Sequence, residues 1–217
     1  MPPPLLLTRP EADSRRFQQM LPGWPVVISP ILRIEPVPHD GQALARAPGL
    51  VFTSAHAVAA AGPGRGRPAI CVGAHTGAVA RAAGFDVTEG QGTATSILPL
   101  IAAASVPLIH PHGRHLAREL PVPGMVVYDQ VPQPLTAEAE ALLTGQAPVI
   151  LPVFSPRSAR LVADAVAAAR APLWLVAISA AADSAFTTPA AQRAVADAPS
   201  AEGMAAAIRR LAAAERS

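Results

Sequence analysis

Short apolar runs rich in β-forming residues alternate with alanine-rich segments along the whole chain, and this alternation constrains the fold most. Pro, Gly, Ser and Thr bound the segments between the runs, which are PLLLT, PVVIS, LVFTS, AICVG, PLIH, MVVYDQV, PVILPVF and LWLVAIS. Such alternation is typical of βα units and parallel sheets. Several runs are apolar throughout, as expected for sheets covered by helices on both faces. With 51% hydrophobic and 15% charged residues, a chain of 217 residues can bury a substantial core.

The order of these elements occurs twice. One copy begins at FTSAHAV and continues through ICVGAHTGAVARAAGFDV to TATSILPLIAAA, and the other begins at VFSPRSARLV and continues through LVAISAAADSAF and RAVADA to SAEGMAAAIRRL. Both predict a strand, a Ser-led helix, a strand, a helix, a short strand and a helix, which indicates a duplicated α/β domain. PLLLTRP, a helix and PVVIS precede the first copy, and PLIHPHGR, a helix and MVVYDQV are their counterparts before the second.

The displaced repeat implies that the chain leaves its first domain and later returns to it. We predict two doubly wound parallel-sheet domains of the flavodoxin-like type. Domain 1 is expected to be discontinuous, with residues 1–36 and 133–217, and domain 2 to hold residues 37–132 with the linker strands. The crossings are expected near residues 34–38 and 129–134, where prolines flank extended segments suited to a two-stranded linker that permits hinge motion.

Composition disfavours several classes of partner. The net charge is +2, and the basic residues are arginines scattered singly, without the cluster typical of nucleic-acid binding. The single cysteine, Cys71, allows no disulfide within the chain, and the three leucines near the N-terminus are too few for a secretory signal. The apolar stretch ILPLIAAASVPLIH is too short and too rich in proline to span a bilayer. We therefore predict a cytoplasmic protein without nucleic-acid or membrane partners.

Polar residues follow the strands at the ends where open parallel sheets bind ligands. Helix N-termini present unpaired N–H groups and partial positive charge there. Each residue could serve only as a helix cap, but as a set on two domains they predict a ligand site. They are Thr8, Arg9, Thr53, Ser54, Gly73 to Thr76, His112 to Arg114, Ser155 to Ser158, and Ser179.

Three histidines in HPHGRH also suggest a metal site. Imidazoles at short spacing can bind zinc and leave a position open. Strand alternation, however, places His110 and His112 on one face, whereas His115 is expected in the following helix, with no carboxylate beside them before Glu119. We therefore favour an anion contact and predict no metal.

The glycine-rich segment GPGRGRP is not a dinucleotide motif. It precedes a strand, whereas the dinucleotide fingerprint follows a strand and opens a helix. The segment is expected to be a flexible surface loop. The chain also contains no GxSxG, Walker, HExxH or CxxC motif.

The junction motifs resemble, in their order and spacing, those of the uroporphyrinogen-III synthase family. They cover nearly the whole chain and are LLLTRP, VFTSAHAV, CVGAHTGAVARAAGF, HPHGRHLARELP followed by VVYDQVP, FSPRSAR and SAEGMAAAI. The resemblance implies a cofactor-free lyase of porphyrin and heme biosynthesis. It would close linear hydroxymethylbilane, which carries eight carboxylates, to uroporphyrinogen III with inversion of ring D. It also implies an active site in the cleft between two α/β domains. We further expect a monomer.

The resemblance further implies site residues. The tyrosine of the YxxxP motif falls on Tyr128, which also ends an apolar run, so we expect an exposed phenol at a strand end that protonates or orients the leaving hydroxyl. The second half departs from the FTSP and IGxxTA patterns at VFSP and ISAAAD, so backbone N–H groups would replace threonine contacts there. The expected substrate-binding residues are Arg9, Thr53, Ser54, Gly73, Ala74, His75, Thr76, His112, Gly113, Ser155, Pro156, Arg157, Ser158 and Ser179.

Two other functions remain open from the residues alone. A cofactor-free, two-domain cytoplasmic binding protein for a polycarboxylate would share the cleft and hinge and need no proton donor. A metal hydrolase built on the histidine cluster would lose its activity after chelation.

Overall fold

The computed structural model describes residues 1–116 and 118–214. The chain divides into two compact units, which we call domain 1 (Met1–Arg33 and Pro132–Ser217) and domain 2 (Ile34–Val131). The limits expected from the sequence lie slightly C-terminal to these divisions. That these limits separate two independently folding units stays a prediction.

Strands and helices alternate along the described residues. The strands are β1 (Leu5–Leu7), β2 (Val26–Ile28), β3 (Leu32–Pro36), β4 (Gly49–Phe52), β5 (Pro68–Cys71), β6 (Asp86–Glu89), β7 (Leu108–Gly113), β8 (Gly124–Pro132), β9 (Val149–Val153), β10 (Leu173–Ala177) and β11 (Gln192–Val195). The α-helices are α1 (Glu11–Gln18), α2 (Gly41–Arg46), α3 (Ala74–Ala82), α4 (Leu98–Ala102), α5 (Ala137–Leu143), α6 (Pro156–Ala165), α7 (Ala180–Ala185) and α8 (Ala201–Ala214).

Domain 1 is a parallel sheet with the strand order β11-β10-β9-β1-β2. Successive residues of one strand enter different cores, since Leu6 packs with α5, α6 and α7, whereas Leu5 and Leu7 pack with α1 and α8. Two buried faces explain why these strands are apolar throughout. The order is that of a flavodoxin-like sheet, so the predicted fold class is confirmed.

Domain 2 has the strand order β3-β8-β7-β4-β5-β6, in which β4 to β8 form parallel pairs. Its sheet is also covered on both faces. Leu50 and Phe52 belong to one core, and Val51 packs with Ile97 and Ile101 in the other. The strands β4, β5, β6, β7 and β8 occupy the same spatial order as β9, β10, β11, β1 and β2 of domain 1. This shared order agrees with the duplication inferred from the sequence.

Two helices expected from the sequence are absent from the described residues. Residues 114–116 and 118–120 are not helical, because the Arg114 N–H still donates to the Tyr128 carbonyl at 2.9 Å and prolines follow at 121 and 123. The helix expected in FTSAHAV is replaced by two short 3-10 turns, Ala55–Ala57 and Ala59–Ala61, which end where Gly62 adopts φ +65°. Helix α2, in contrast, was not expected from the sequence.

The GPGRGRP segment is tied to domain 2 more closely than its glycines suggest. The Arg67 guanidinium lies against the Phe85 ring at 5.2 Å. Its nitrogens donate, at 2.7–3.2 Å, to the backbone carbonyls of Leu44, Ala47, Ala61, Pro63 and Gly64. A planar guanidinium can serve several acceptors at once, so this arginine anchors the loop expected to be flexible.

Within the described part of the chain, each helix is too short or insufficiently apolar to cross a membrane.

Candidate active site

The switch point of domain 2 lies between β4 and β7, where the strand order reverses. Open α/β sheets bind ligands beyond the carboxyl ends of strands at such points. A pocket of about 290 Å³ opens there, and four of the expected site residues line it: Thr53, Ser54, Gly113 and Tyr128. Three further polar residues line it: His115, Arg118 and Gln130.

Tyr128 lies in the middle of β8 and is only 7% exposed. The expectation of an exposed phenol at a strand end was therefore wrong, because β8 continues to Pro132 and the ring packs into the domain core. The ring also lies against Gly113, where an added Cβ would be 2.5 Å from Cε2 and 2.9 Å from the hydroxyl oxygen. Glycine at 113 thus makes room for the phenol beside the pocket.

Thr53 forms a hydrogen bond across the switch point with a buried histidine. Its Oγ1 lies 2.9 Å from Nε2 of His110, which is 2% exposed. Burial, and then the neighbouring His112, lower the pKa of His110 to about 4. His110 is therefore neutral at physiological pH and can either accept or donate at Nε2.

The other histidines of HPHGRH have separate contacts. The rings of His110 and His112 lie 4.9 Å apart, in agreement with the shared strand face expected from alternation. His112 Nδ1 lies 2.8 Å from the Gly113 carbonyl, and His115 Nε2 lies 3.7 Å from Asp129. Across residues 1–116 and 118–214, no group of three or more His, Cys, Asp or Glu side chains is arranged to hold a metal ion.

Charged residues lie next to the pocket-lining residues in the chain, and one of them, Arg118, lines the pocket itself. Arg114 Nε donates to Asp129 Oδ2 at 2.9 Å, and the Gln130 N–H donates to Oδ1 at 2.7 Å. Partial desolvation opposes ionisation of Asp129, but these hydrogen bonds outweigh it and lower the pKa of the carboxyl. Arg118 donates to the neutral hydroxyl of Thr95 at 3.1 Å, so this contact leaves its positive charge uncompensated.

The expected residues Gly73 to Thr76 lie where β5 ends and α3 begins. Gly73 is the N-cap of α3, and an added Cβ there would lie 3.2 Å from the Gly92 Cα, so the two backbones approach closely. Ala74 and His75 are exposed, whereas Thr76 is 5% exposed within the first turn. None of these four residues lines the pocket, whereas Val72, which precedes them, does.

In domain 1, the residues at the equivalent switch point form their own contacts. Arg9, after β1, stacks on the Phe154 ring at 4.4 Å and donates to Asp13 at 3.1 Å. Burial lowers the pKa of Arg9, and Asp13 partly opposes that shift. The Asp13 carboxylate offsets the charge of Arg9, so this arginine is less available to an anion than its position in the sequence suggests.

Serine caps begin the two helices beyond β9 and β10. Ser155 Oγ accepts from the Ser158 N–H at 3.1 Å and lies 2.9 Å from the Ser158 hydroxyl, while Pro156 and Arg157 form the first turn of α6. Ser179 Oγ accepts from the Ala182 N–H at 3.3 Å at the start of α7. Capping is therefore observed for both serines, and their contact with a ligand stays a prediction.

Sequence reasoning omitted His115, Arg118 and Gln130 from the site. The signal was present, because the first two belong to the HGRHLAR segment and the third follows Tyr128 by two residues. The expected helix in that segment obscured it. Cys71 is not a candidate nucleophile, since burial, and then Glu89, raise the pKa of its thiol to about 11.

Two open parallel sheets with polar groups at their switch points define an α/β protein of the ligand-binding type. The family model described as uroporphyrinogen-III synthase HemD matches residues 21–206, and the chain belongs to this family. It is thus an enzyme of tetrapyrrole synthesis with the function of a uroporphyrinogen-III synthase.

Solved structures share the fold. The uroporphyrinogen-III synthetase of Helicobacter pylori is 14% identical with a TM-score of 0.65, over 97% of this chain and all of that chain. A mutant uroporphyrinogen III synthase of Thermus thermophilus is 16% identical with a TM-score of 0.53, over 98% of this chain and 99% of that one. A comparison with curated proteins gave no significant match.

Proposed function

We propose that the protein is a cyclising lyase that converts hydroxymethylbilane to uroporphyrinogen III with inversion of ring D. In this reaction the C–O bond of the ring A hydroxymethyl group breaks and the hydroxyl leaves, with one proton, as water. The ring then closes by carbon–carbon bond formation, and the proton lost from the pyrrole carbon restores the acid. The family match over residues 21–206 is the observation that carries the proposal.

The pocket of domain 2 supports a carboxylate-rich substrate. Its lining combines hydroxyls of Thr53 and Ser54 with the guanidinium of Arg118. Hydroxyls and guanidinium groups donate to carboxylates, and hydrogen bonds to a charged partner are the stronger ones. Positioning the ends of a flexible chain is valuable here, because it can lower a barrier by up to about 7–11 kcal/mol.

Tyr128 is our candidate for the proton donor. Its phenol lies beside this pocket and packs against Gly113, so the geometry limits where the hydroxyl can point. A phenol stays protonated at neutral pH and can protonate a leaving hydroxyl. Tyr128 then either acts as the general acid or orients the departing group.

We further propose that residues at the starts of α6 and α7 in domain 1 also bind the substrate. Ser155 and Ser179 carry hydroxyl groups at these helix starts, and Arg157 carries a guanidinium; both kinds of group can donate to carboxylates. The cytoplasmic, monomeric and cofactor-free character expected from the sequence belongs to the same proposal.

The experiment is incubation of the purified protein with freshly prepared hydroxymethylbilane. Enzymatic closure produces isomer III, whereas slow uncatalysed closure produces isomer I. We expect isomer III to form faster than the blank reaction. Formation of isomer I alone at the blank rate would favour the polycarboxylate-binding protein instead, an alternative that the family match does not support.

A further inference from the structure

His110 is a buried polar residue in a position that otherwise belongs to the core. It lies on β7 at the switch point, is 2% exposed, and contacts the Thr53 hydroxyl on the neighbouring strand β4 at 2.9 Å. A buried imidazole needs a hydrogen-bond partner that an apolar side chain would not need, so its presence requires an explanation.

The duplicated domain shows what the fold alone requires at this position. Aligning Ser54 with Ser155 superposes β4 on β9. Leu50 of β4 pairs with Ile109 of β7, and Ile150 of β9 pairs with Leu5 of β1. With these pairs in register, His110 of β7 lies at the position of Leu7 of β1. Leu7 is 1% exposed and packs in an apolar core. The same sheet position therefore folds with leucine, and the histidine of domain 2 serves something other than packing.

We propose that His110 is a positioning residue that donates its Nε2–H to Thr53 Oγ1 and thereby directs the Thr53 hydroxyl proton into the pocket, toward a carboxylate of the substrate. The inference rests on the proposed function, because it takes its ligand from a polycarboxylate substrate. His110 itself does not touch the reacting atoms.

The direction of this hydrogen bond decides what Thr53 can bind. If Nε2 accepts, the threonine proton points to His110 and its oxygen is left to accept from a donor such as a pyrrole N–H. If Nε2 donates, the threonine proton is free to bind an acceptor such as a carboxylate. Arg118 and His115 line the same pocket and favour an anionic ligand there, so the second arrangement fits. Burial also favours a neutral ring, with one nitrogen protonated.

The first test is the tautomer of His110 in the full chain without ligand. Nitrogen-15 NMR at neutral pH distinguishes the Nε2–H form, the Nδ1–H form and the imidazolium, and the spectrum of His110→Gln assigns the signal. We expect the neutral Nε2–H form. A dominant Nδ1–H tautomer or an imidazolium would overturn the proposal, and this readout does not depend on catalysis.

The second test is kinetic and uses matched variants. His110→Leu copies the residue of domain 1 and removes the donor, whereas the Gln amide can replace Nε2–H. We expect His110→Leu and Thr53→Val each to raise KM about tenfold or more, with kcat within about threefold, and His110→Gln to recover most of the loss. His39→Gln, at an exposed histidine outside the pocket, should retain the parent constants.

The double variant separates positioning from an unrelated structural effect. If His110 acts through Thr53, His110→Leu adds little to Thr53→Val, whereas effects that multiply would overturn the proposal. Parent kinetics for His110→Leu would overturn it as well. If the Leu variant does not fold, His110→Asn replaces it, because the shorter amide does not reach Thr53.

Failure of this inference and failure of the proposed function give different experimental results. A parent protein that makes isomer III while its His110 variants are unchanged would refute only this inference. A parent protein without synthase activity would refute the proposed function, and the NMR result would still decide the direction of the bond.

Discussion

Tyr128 and Gly113 depend on each other, since the absent side chain at 113 leaves the space that the phenol fills. The two residues are paired across β7 and β8, where an irregularity in register follows His112. Because of this irregularity, Tyr128 lies at the edge of the pocket as well as in the core. The chemistry of this residue can therefore be tested separately from its packing.

Tyr128→Phe removes the hydroxyl and keeps the ring. If the phenol protonates the leaving group, kcat should fall by at least about 100-fold, because general acid catalysis contributes about 10²–10⁴-fold. Affinity for product should change little, and the unfolding midpoint should stay near that of the parent. Single-turnover kinetics with calorimetric product binding would measure both. Isomer III formation within about threefold of the parent rate would remove Tyr128 from the mechanism.

Gly113→Ala tests the same contact from the other side. Its Cβ would lie 2.5 Å from the Tyr128 ring, so the phenol must move and the rate should fall although the tyrosine is retained. Gly41→Ala is the matched control, because no atom lies within 4 Å of its Cβ position. Equal activities of the two alanine variants would contradict this reading.

His110 should make the stability of domain 2 sensitive to acid. The pKa of His110 is about 4 in the folded protein, against 6.5 for an ordinary histidine, so the unfolded state binds the proton first as the pH falls below 6.5. The contribution of His110 to the free energy of unfolding is fully present above the unfolded pKa and is lost as the pH falls toward the folded pKa. We expect a loss of about 2 kcal/mol between about pH 7 and about pH 5. His110→Gln should remove this decline.

The measurement must report on domain 2. Both tryptophans, Trp24 and Trp174, belong to domain 1, so their fluorescence follows the other domain. Hydrogen exchange of the β4 and β7 amides at the two pH values reports directly. An equal acid-induced loss of stability in the parent and in His110→Gln would show that other groups dominate the pH dependence.

At the scale of elements, the serine caps explain why the carboxyl ends of the strands are polar. Ser155 and Ser179 begin their helices in extended conformation and accept from an N–H three residues on. This arrangement satisfies donors that a helix start leaves unpaired. A serine hydroxyl that accepts one backbone N–H can still donate its own proton to a ligand, so capping and binding are compatible.

Three substitutions at Ser155 distinguish these two roles. Ala removes the cap and should lower the stability of domain 1 by about 1 kcal/mol, whereas Asn and Asp cap as well as Ser. If α6 faces substrate carboxylates, the negative charge of Asp should raise KM at least about tenfold, and the isosteric Asn should not. Trp174 fluorescence in urea and steady-state kinetics measure the two effects. Equal KM values for Asn and Asp would place Ser155 outside the substrate site.

At the scale of the whole molecule, domain 2 is a continuous segment with a sheet and two apolar cores of its own. The polypeptide 34–131 should therefore fold cooperatively without the rest of the chain. Thermal unfolding followed by circular dichroism would show this. Phe52→Ala, at a fully buried position, should destabilise it by about 3–5 kcal/mol. A broad transition that this substitution does not shift would mean that domain 2 needs domain 1.

Fold class, the duplicated order of elements and most strands could be predicted from the amino-acid pattern. These features depend on local periodicity, on proline and serine punctuation, and on apolar runs long enough to form a buried strand. Thr53 and Ser54 could be assigned to the site in the same way, because the carboxyl ends of parallel strands share one edge.

The tertiary structure alone decided which side chains meet. Residues 114–116 and 118–120 were expected to be helical, but pairing of β7 with β8 and the prolines that follow prevent this. The burial of Tyr128, the bond between Thr53 and His110, and the engagement of Arg9 by Asp13 and Phe154 depend on contacts between strands and helices. Two of these contacts join residues 57 and 145 positions apart, and no local pattern contains that information. Packing brings such residues together, and packing also determines which of the polar junctions surround a pocket.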